Sequence, residues 1–282
     1  MIGEWRCSSP SRDVIHTVSY QEARTGGGIQ RTELPIVGSV VRGLPGAVEA
    51  IICCSDLQGV VPAAQADAPP QLVGEVVADE LAILAELGVL PAASHVGVLL
   101  AGDFYAIPTL DQLGGYGDAW PVWLAFARRF RWVVGVAGNH DDLTRPTNEV
   151  CALQRAGRLH LLDDGASVTV DGLRLAGVSG VIGRPTKPWR KSTAAFEAAV
   201  RDGLQRRPDV LVLHEGPDMP MWRLPGQHVV RTVLERASGG RVSPNLLVVC
   251  GHCYWDVPIV ELGPGIQVLN VDHRLVVAQR AG

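Results

Sequence analysis

The chain has 282 residues, of which 47% are apolar and 19% charged, with a formal net charge of −4. That length and apolar share allow one large domain or two small ones with a real core, and exclude a disordered tail or a coiled coil. The charge lacks the basic footprint of a general nucleic-acid binder. The opening residues 1–6 have neither the basic nor the apolar region of a signal peptide, and no apolar run reaches the roughly 18 residues of a membrane span. The six cysteines lie mostly in or beside apolar runs, which fits a reducing, cytoplasmic setting with no membrane contact.

Residues 1–46 read as an N-terminal extension. Ile15–Tyr20 and Pro35–Val41 fit extra strands around Gly26-Gly27-Gly28, with a lid or a dimer arm as alternatives. Regular patterning begins near residue 47 and runs to 282, interrupted by an Ala- and Pro-rich tract at Pro62–Pro70. Five short runs rich in Val, Ile and Leu follow: Ala50–Cys54, Val96–Ala101, Trp132–Ala137, Val210–Leu213 and Leu246–Cys250. Such runs are strands buried on both faces. Helical spacing over Leu72–Leu87, Trp120–Phe130 and Ala194–Gln205 separates several of them. This alternation predicts an α/β fold with parallel pairing. Val168–Val178 reads as a hairpin turning at Asp171-Gly172. Val257–Val260, Ile266–Val271 and Leu275–Ala278 read as closing strands, which suggests a second sheet packed on the first.

Each of the five runs ends at a potential metal ligand. Ser55-Asp56-Leu57-Gln58 follows the first, Gly102-Asp103 the second and Gly138-Asn139-His140-Asp141 the third. His214-Glu215 follows the fourth and Gly251-His252 the fifth. Sites of α/β sheets lie beyond the carboxyl ends of strands, so these residues converge on one crevice. Carboxylates, an amide oxygen and imidazoles together suit Mn²⁺, Fe²⁺ or Zn²⁺ rather than Ca²⁺. A central carboxylate is able to bridge two ions that clamp a phosphoryl displacement.

In that order the motifs resemble the calcineurin-like metallophosphoesterases over residues 48–280, with Gly138-Asn139-His140-Asp141 the most specific piece. The resemblance implies a four-layer α/β/β/α sandwich of two mixed sheets flanked by helices. It also implies a phosphohydrolase that cleaves a phosphoester, or a nucleotide-type phosphodiester or diphosphate, with a metal-bound hydroxide at a dinuclear site. Asp103 would bridge both ions, Asn139, His214 and His252 would complete one site, and Asp56 would anchor the other. His140 would contact the phosphoryl group or protonate the leaving group. The sequence departs from the family at Gln58 and Tyr254, where histidines are usual, and both changes fall on the same site. Gln58 offers a neutral oxygen, which favours Mn²⁺ or Mg²⁺. Tyr254 would have to lose a proton to bind. An Asp-x-Gln first motif is similar to Mn²⁺-dependent ADP-ribose/CDP-alcohol diphosphatases. Two ions, Mn²⁺ foremost and Fe, Zn or Mg otherwise, are therefore the expected cofactors, and a small phosphorylated substrate, nucleotide included, the expected partner. Ala106 replaces the family's second acid, so His140 lacks its usual carboxylate partner unless Asp141 or another acid substitutes.

The loop Gly183–Lys191 gathers Arg184 and Lys187 around Trp189, a candidate lid with cations for phosphate and an indole for stacking; Arg145 is a further clamp candidate. Trp120, Trp222 and Trp255 read as core, and His16, His95, His160, His228 and His273 as structural or surface residues. Two rival readings stand beside the phosphohydrolase. Cys250-Gly251-His252-Cys253 has C-x-x-C spacing, but a thiol-disulfide oxidoreductase needs a helix after it, and the sequence offers a strand. The two missing histidines motivate a degenerate chain that binds a metal or nucleotide without hydrolysis.

Overall fold

The computed structural model describes residues 6–63, 68–238 and 245–282. The first five residues and the middle of the Ala- and Pro-rich tract, 64–67, lie outside the described residues. The fold is mixed α/β. The principal strands are β1 Val14–Ala23, β2 Ile29–Arg42, β3 Ala50–Cys54, β4 Val96–Leu100, β5 Trp132–Gly135, β6 Leu159–Leu161 and β7 Ser167–Val170. They continue as β8 Leu173–Val178, β9 Val210–Glu215, β10 Leu246–Gly251, β11 Ile259–Glu261, β12 Ile266–Asn270 and β13 Leu275–Arg280. The helices are α1 Val73–Glu86, α2 Trp120–Arg129, α3 Asn148–Arg155, α4 Thr193–Gln205 and α5 His228–Ala237.

The described residues form four sheets. One has ten strands, with β6-β5-β4-β3-β13-β2-β1 along its path and three two-residue strands added. The second has six, in the order β7-β8-β9-β10-β12-β11. Two short ribbons complete the set: Gly117–Asp118 with Asp141–Asp142, and Val181–Ile182 with Arg190–Lys191. β3, β4, β5 and β6 pair in parallel, as do β8, β9, β10 and β12. The last strand, β13, lies antiparallel to β3 and parallel to β2.

The all-apolar runs have a direct structural reason. Along β3, Ile51 and Cys53 enter a cluster shared with Leu175, Val210, Val212 and Val249 of the six-stranded sheet. The alternating residues Ala50, Ile52 and Cys54 enter another cluster with Val77 and Leu81 of α1 and Trp123 and Phe126 of α2. The strand therefore has no solvent face. β9 behaves alike: Leu211 and Leu213 meet Phe196 and Val200 of α4 and Val230 and Leu234 of α5. Each fully buried Leu, Ile or Val contributes about 1.5–3 kcal/mol of burial free energy. Trp120 and Trp255 are buried as expected, but Trp222 is 55% exposed on a short 3-10 turn beside Met221. None of the described helices is long and apolar enough to cross a membrane.

α1 and α2 approach closely at Gly74, where a Cβ would stand 2.5 Å from Val122 Cγ1. Alanine is better than glycine in a helix by about 1 kcal/mol, but overpacking costs about 1–3 kcal/mol. Gly74→Ala should therefore destabilise the protein by about 1 kcal/mol, seen as a lower urea midpoint at unchanged slope. A raised midpoint would show that the two helices are not in contact there.

Candidate metal centre

Three of the sequence candidates come together. One ligand atom from each of Asp103, His214 and His252 lies within 4.8 Å of the others. Asp103 follows β4 in the ten-stranded sheet, whereas His214 lies in β9 and His252 just after β10 of the six-stranded sheet. The centre is thus shared between the two large sheets.

Asp103 is the middle of the group. Its Oδ1 accepts the His140 backbone N–H at 2.9 Å. Its Oδ2 lies 3.3 Å from His214 Nε2 and 3.9 Å from His140 Nε2. Gln58 Nε2 stands 3.4 Å from the same oxygen, and rotating that amide by 180° would offer its Oε1 instead. Burial pushes Asp103 up, but His214 and His140 outweigh it and hold the carboxyl below its usual range.

The chemistry of these donors fits a cation. His214 is fully buried, and its Nδ1 gives its proton to the Ala101 carbonyl at 2.7 Å. This leaves Nε2 facing the Asp103 carboxylate as a buried ion pair. Burial lowers His214, but Asp103 and Asp56 prevail and raise it to about 10. A metal ion would take the place of that proton. Asn139, in the loop that binds Asp103 through the His140 N–H, has a buried Oδ1 without a partner. An unsatisfied buried acceptor is costly, and a cation would satisfy it.

Asp56 joins through its Oδ2, which accepts the His252 N–H at 2.9 Å. Burial, then the charge of Asp272, raises Asp56 to about 7. Burial, then His214, lowers His252 to about 4, so its ring is neutral and able to ligate. Asp56, Asp103 and His252 all adopt the left-handed backbone, with φ of 54°, 60° and 68°. That conformation is sparsely populated outside glycine and concentrates at functional sites. The loops also pass too close for larger neighbours: a Cβ on Gly138 would overlap Asp103, and one on Gly251 would overlap Asp56 and Ser55.

Asp141 organises the centre without facing it. Its carboxylate accepts backbone N–H groups from Asp103 at 2.8 Å, Phe104 at 2.7 Å, Tyr105 at 3.3 Å and Gly138 at 2.9 Å. It is therefore not the partner of His140. That ring bonds through Nδ1 to the Gly115 carbonyl.

Other candidates stand apart. Tyr254 is 57% exposed, and its ring packs beneath the Arg274 guanidinium at 4.8 Å and beside His273. Trp189 is half-buried and gives its indole N–H to the Asp141 carbonyl at 2.6 Å, so it anchors the 183–191 loop instead of projecting as a stacking platform. Arg184, Lys187 and Arg145 are exposed, Arg145 near Asp142. No helix follows Cys253, and burial pushes the Cys250 and Cys253 thiols up, the latter to about 11, opposite to what thiolate chemistry needs.

Sequence reasoning missed Asp272, Glu215 and His273. Asp272 is buried beside Asp56 and bonds His273 Nδ1. Glu215, adjacent to His214, approaches His252 Nε2 to 3.9 Å. The signal in Asp272-His273 was the same strand-end rule, applied after β12.

No protein-family model matches the chain, and no curated protein matches it. Solved structures similar to it include a protein of unknown function from Aquifex aeolicus, 12% identical, covering 81% of this chain and 95% of that one at a TM-score of 0.34. A hypothetical protein from Thermus thermophilus is 16% identical and covers 78% of this chain and 75% of that one at a TM-score of 0.40.

An asparagine at position 141 keeps one acceptor and turns an amide N–H₂ toward backbone donors. Charged hydrogen bonds contribute about 1.5–3 kcal/mol each, and supporting residues of metal sites alter affinity about 10–100-fold. Asp141→Asn should lower stability by about 2–3 kcal/mol in denaturant titration and weaken Mn²⁺ binding by about tenfold or more in calorimetry. Unchanged affinity would separate Asp141 from the centre.

Proposed function

We propose that the chain is a metal-dependent phosphohydrolase of the calcineurin-like metallophosphoesterase type, built as a four-layer α/β/β/α sandwich. The observation that carries this reading is the convergence of Asp103, His214 and His252 from two sheets, beside a loop that buries Asn139 Oδ1 without a partner. The apolar cluster between the two large sheets, with helices packed on their other faces, supports the layered reading.

Asn139, His214 and His252 would hold one divalent ion with Asp103 bridging, and Asp56 with Gln58 would hold a second. Mn²⁺ suits this oxygen-rich second set best, with Fe, Zn or Mg as alternatives. Such ions supply charge neutralisation at the phosphoryl oxygens and acidify water. The chain's own groups do the rest. His140 gives its Nδ1 proton to Gly115, which turns Nε2 toward the Asp103 side of the centre. There the ring, when it carries a proton on both nitrogens, would hand the Nε2 proton to the departing ester oxygen and keep the one on Nδ1. Asp103, held by the His140 N–H, fixes the distance between that proton donor and the metal ligands.

The substrate is a small phosphoester, and the enzyme works without membrane or general nucleic-acid contact in a cytoplasmic setting. The second reading, a binder that does not hydrolyse, draws on the neutral amide of Gln58 beside Asp103 and on the exposure of Tyr254.

Protein stripped with EDTA should hydrolyse an aryl phosphoester only after Mn²⁺ is restored. Asp103→Asn and His140→Ala should each lower kcat by about 10²–10⁴-fold, while Cys253→Ser should retain the wild-type rate. Turnover that survives EDTA, or that ignores both substitutions, would overturn the assignment. Saturating Mn²⁺ without turnover would favour the binder.

A further inference from the structure

A cavity of about 300 Å³ opens beside the candidate centre, and Gln58 lines it. One wall comes from the end of the β1–β2 hairpin, with Glu22 and Gln30, and another from the loop after β4, with Leu110, Gln112 and Leu113. Gly114, at the rim, packs so tightly on the His140 ring that a Cβ there would lie 2.5 Å from Cε1. The cavity is thus adjacent to the group placed to protonate the leaving oxygen.

Its polarity is specific. No Lys or Arg lines it among the described residues. Glu22 is held in place: its Oε1 accepts from Gln30 Nε2 and Thr32 Oγ1, each at 2.7 Å, and its Oε2 accepts from Tyr20 at 3.2 Å. The imidazole of the lining, His273, is paired to Asp272 and faces Glu22 at 3.9 Å. A second phosphate would meet the Glu22 carboxylate here, with no lysine or arginine of the described lining to offset it. Amides, a fixed carboxylate and two leucines instead suit a neutral group with hydroxyls and an apolar face.

We propose that this cavity receives the alcohol half of the phosphoester and selects an uncharged, hydroxyl-bearing group of about hexose size over one carrying a second phosphate. The N-terminal hairpin is then part of the substrate site. The inference rests on the phosphohydrolase reading for its orientation, and the test separates the two.

Phosphate release by the full-length, Mn²⁺-loaded protein is measured with glucose 1-phosphate, ethyl phosphate and glucose 1,6-bisphosphate. kcat/KM should be at least about tenfold higher for glucose 1-phosphate than for either other ester. Gln112→Arg, on an exposed loop position, should raise the bisphosphate relative to glucose 1-phosphate by about fivefold or more. Equal kcat/KM for the three esters, or unchanged ratios in Gln112→Arg, would overturn the selectivity while leaving the phosphohydrolase intact. If no ester is hydrolysed with any divalent ion, the phosphohydrolase reading falls, and saturation-transfer NMR with glucose decides the cavity alone. A glucose signal in wild type that Leu113→Arg abolishes supports it; no signal in wild type overturns it.

Discussion

The carboxylate of Asp141 is the constraint on which the centre depends. It gathers four backbone N–H groups, three from the loop after β4 and one from the loop after β5. Neither loop has regular partners for those donors, and burial forbids water as a substitute. One side chain therefore sets the separation of Asp103 from Asn139 and His140. Burial and the neighbouring Asp103 push Asp141 up to about 6, and the bonds from Gly138 and Phe104 oppose that rise. The charge is tolerated because the backbone, not a cation, solvates it.

The second constraint is the division of ligands between sheets. Asp103 follows the ten-stranded sheet, and both imidazoles belong to the six-stranded one. Their spacing depends on the apolar cluster between those sheets. Ile51, Cys53, Leu99 and Val134 meet Val210, Val212, Val249 and Leu269 there, all close to fully buried. A core of this density changes spacing only by discrete repacking, so it keeps the three ligands in register. The left-handed backbone at Asp56, Asp103 and His252 then aims each side chain inward at the strand end.

Much of this was legible in the sequence because it is local. A strand buried on both faces has no polar residues until it ends, so the first polar residue marks the carboxyl edge where the site lies. Asp103, His214 and His252, which the structure brings together, all follow that rule. What escaped depends on contacts between distant segments. Nothing near His140 announces that Gly115 would take its Nδ1 proton, 25 residues away. Asp272 meets Asp56 only because β13 lies beside β3. Tyr254 packs against Arg274 and His273, contacts that no count of residues after His252 reveals. The helical spacing of α5, with Val230, Val233 and Leu234 buried on one face, and the Thr147 cap of α3 were present in the sequence and went unused.

The position of β13 has a consequence for biosynthesis. The N-terminal strands β1 and β2 do not pair with β3; Leu275–Arg280 lies between them. A nascent chain thus makes its hairpin well before the strand that seats it. Until residues 275–280 arrive, β3 and β2 each expose an unpaired edge, the kind of surface that invites mispairing. The wall that Glu22 and Gln30 provide consequently waits for β13, so a chain cut before residue 275 would hold Asp103, His214 and His252 yet have no complete cavity beside them.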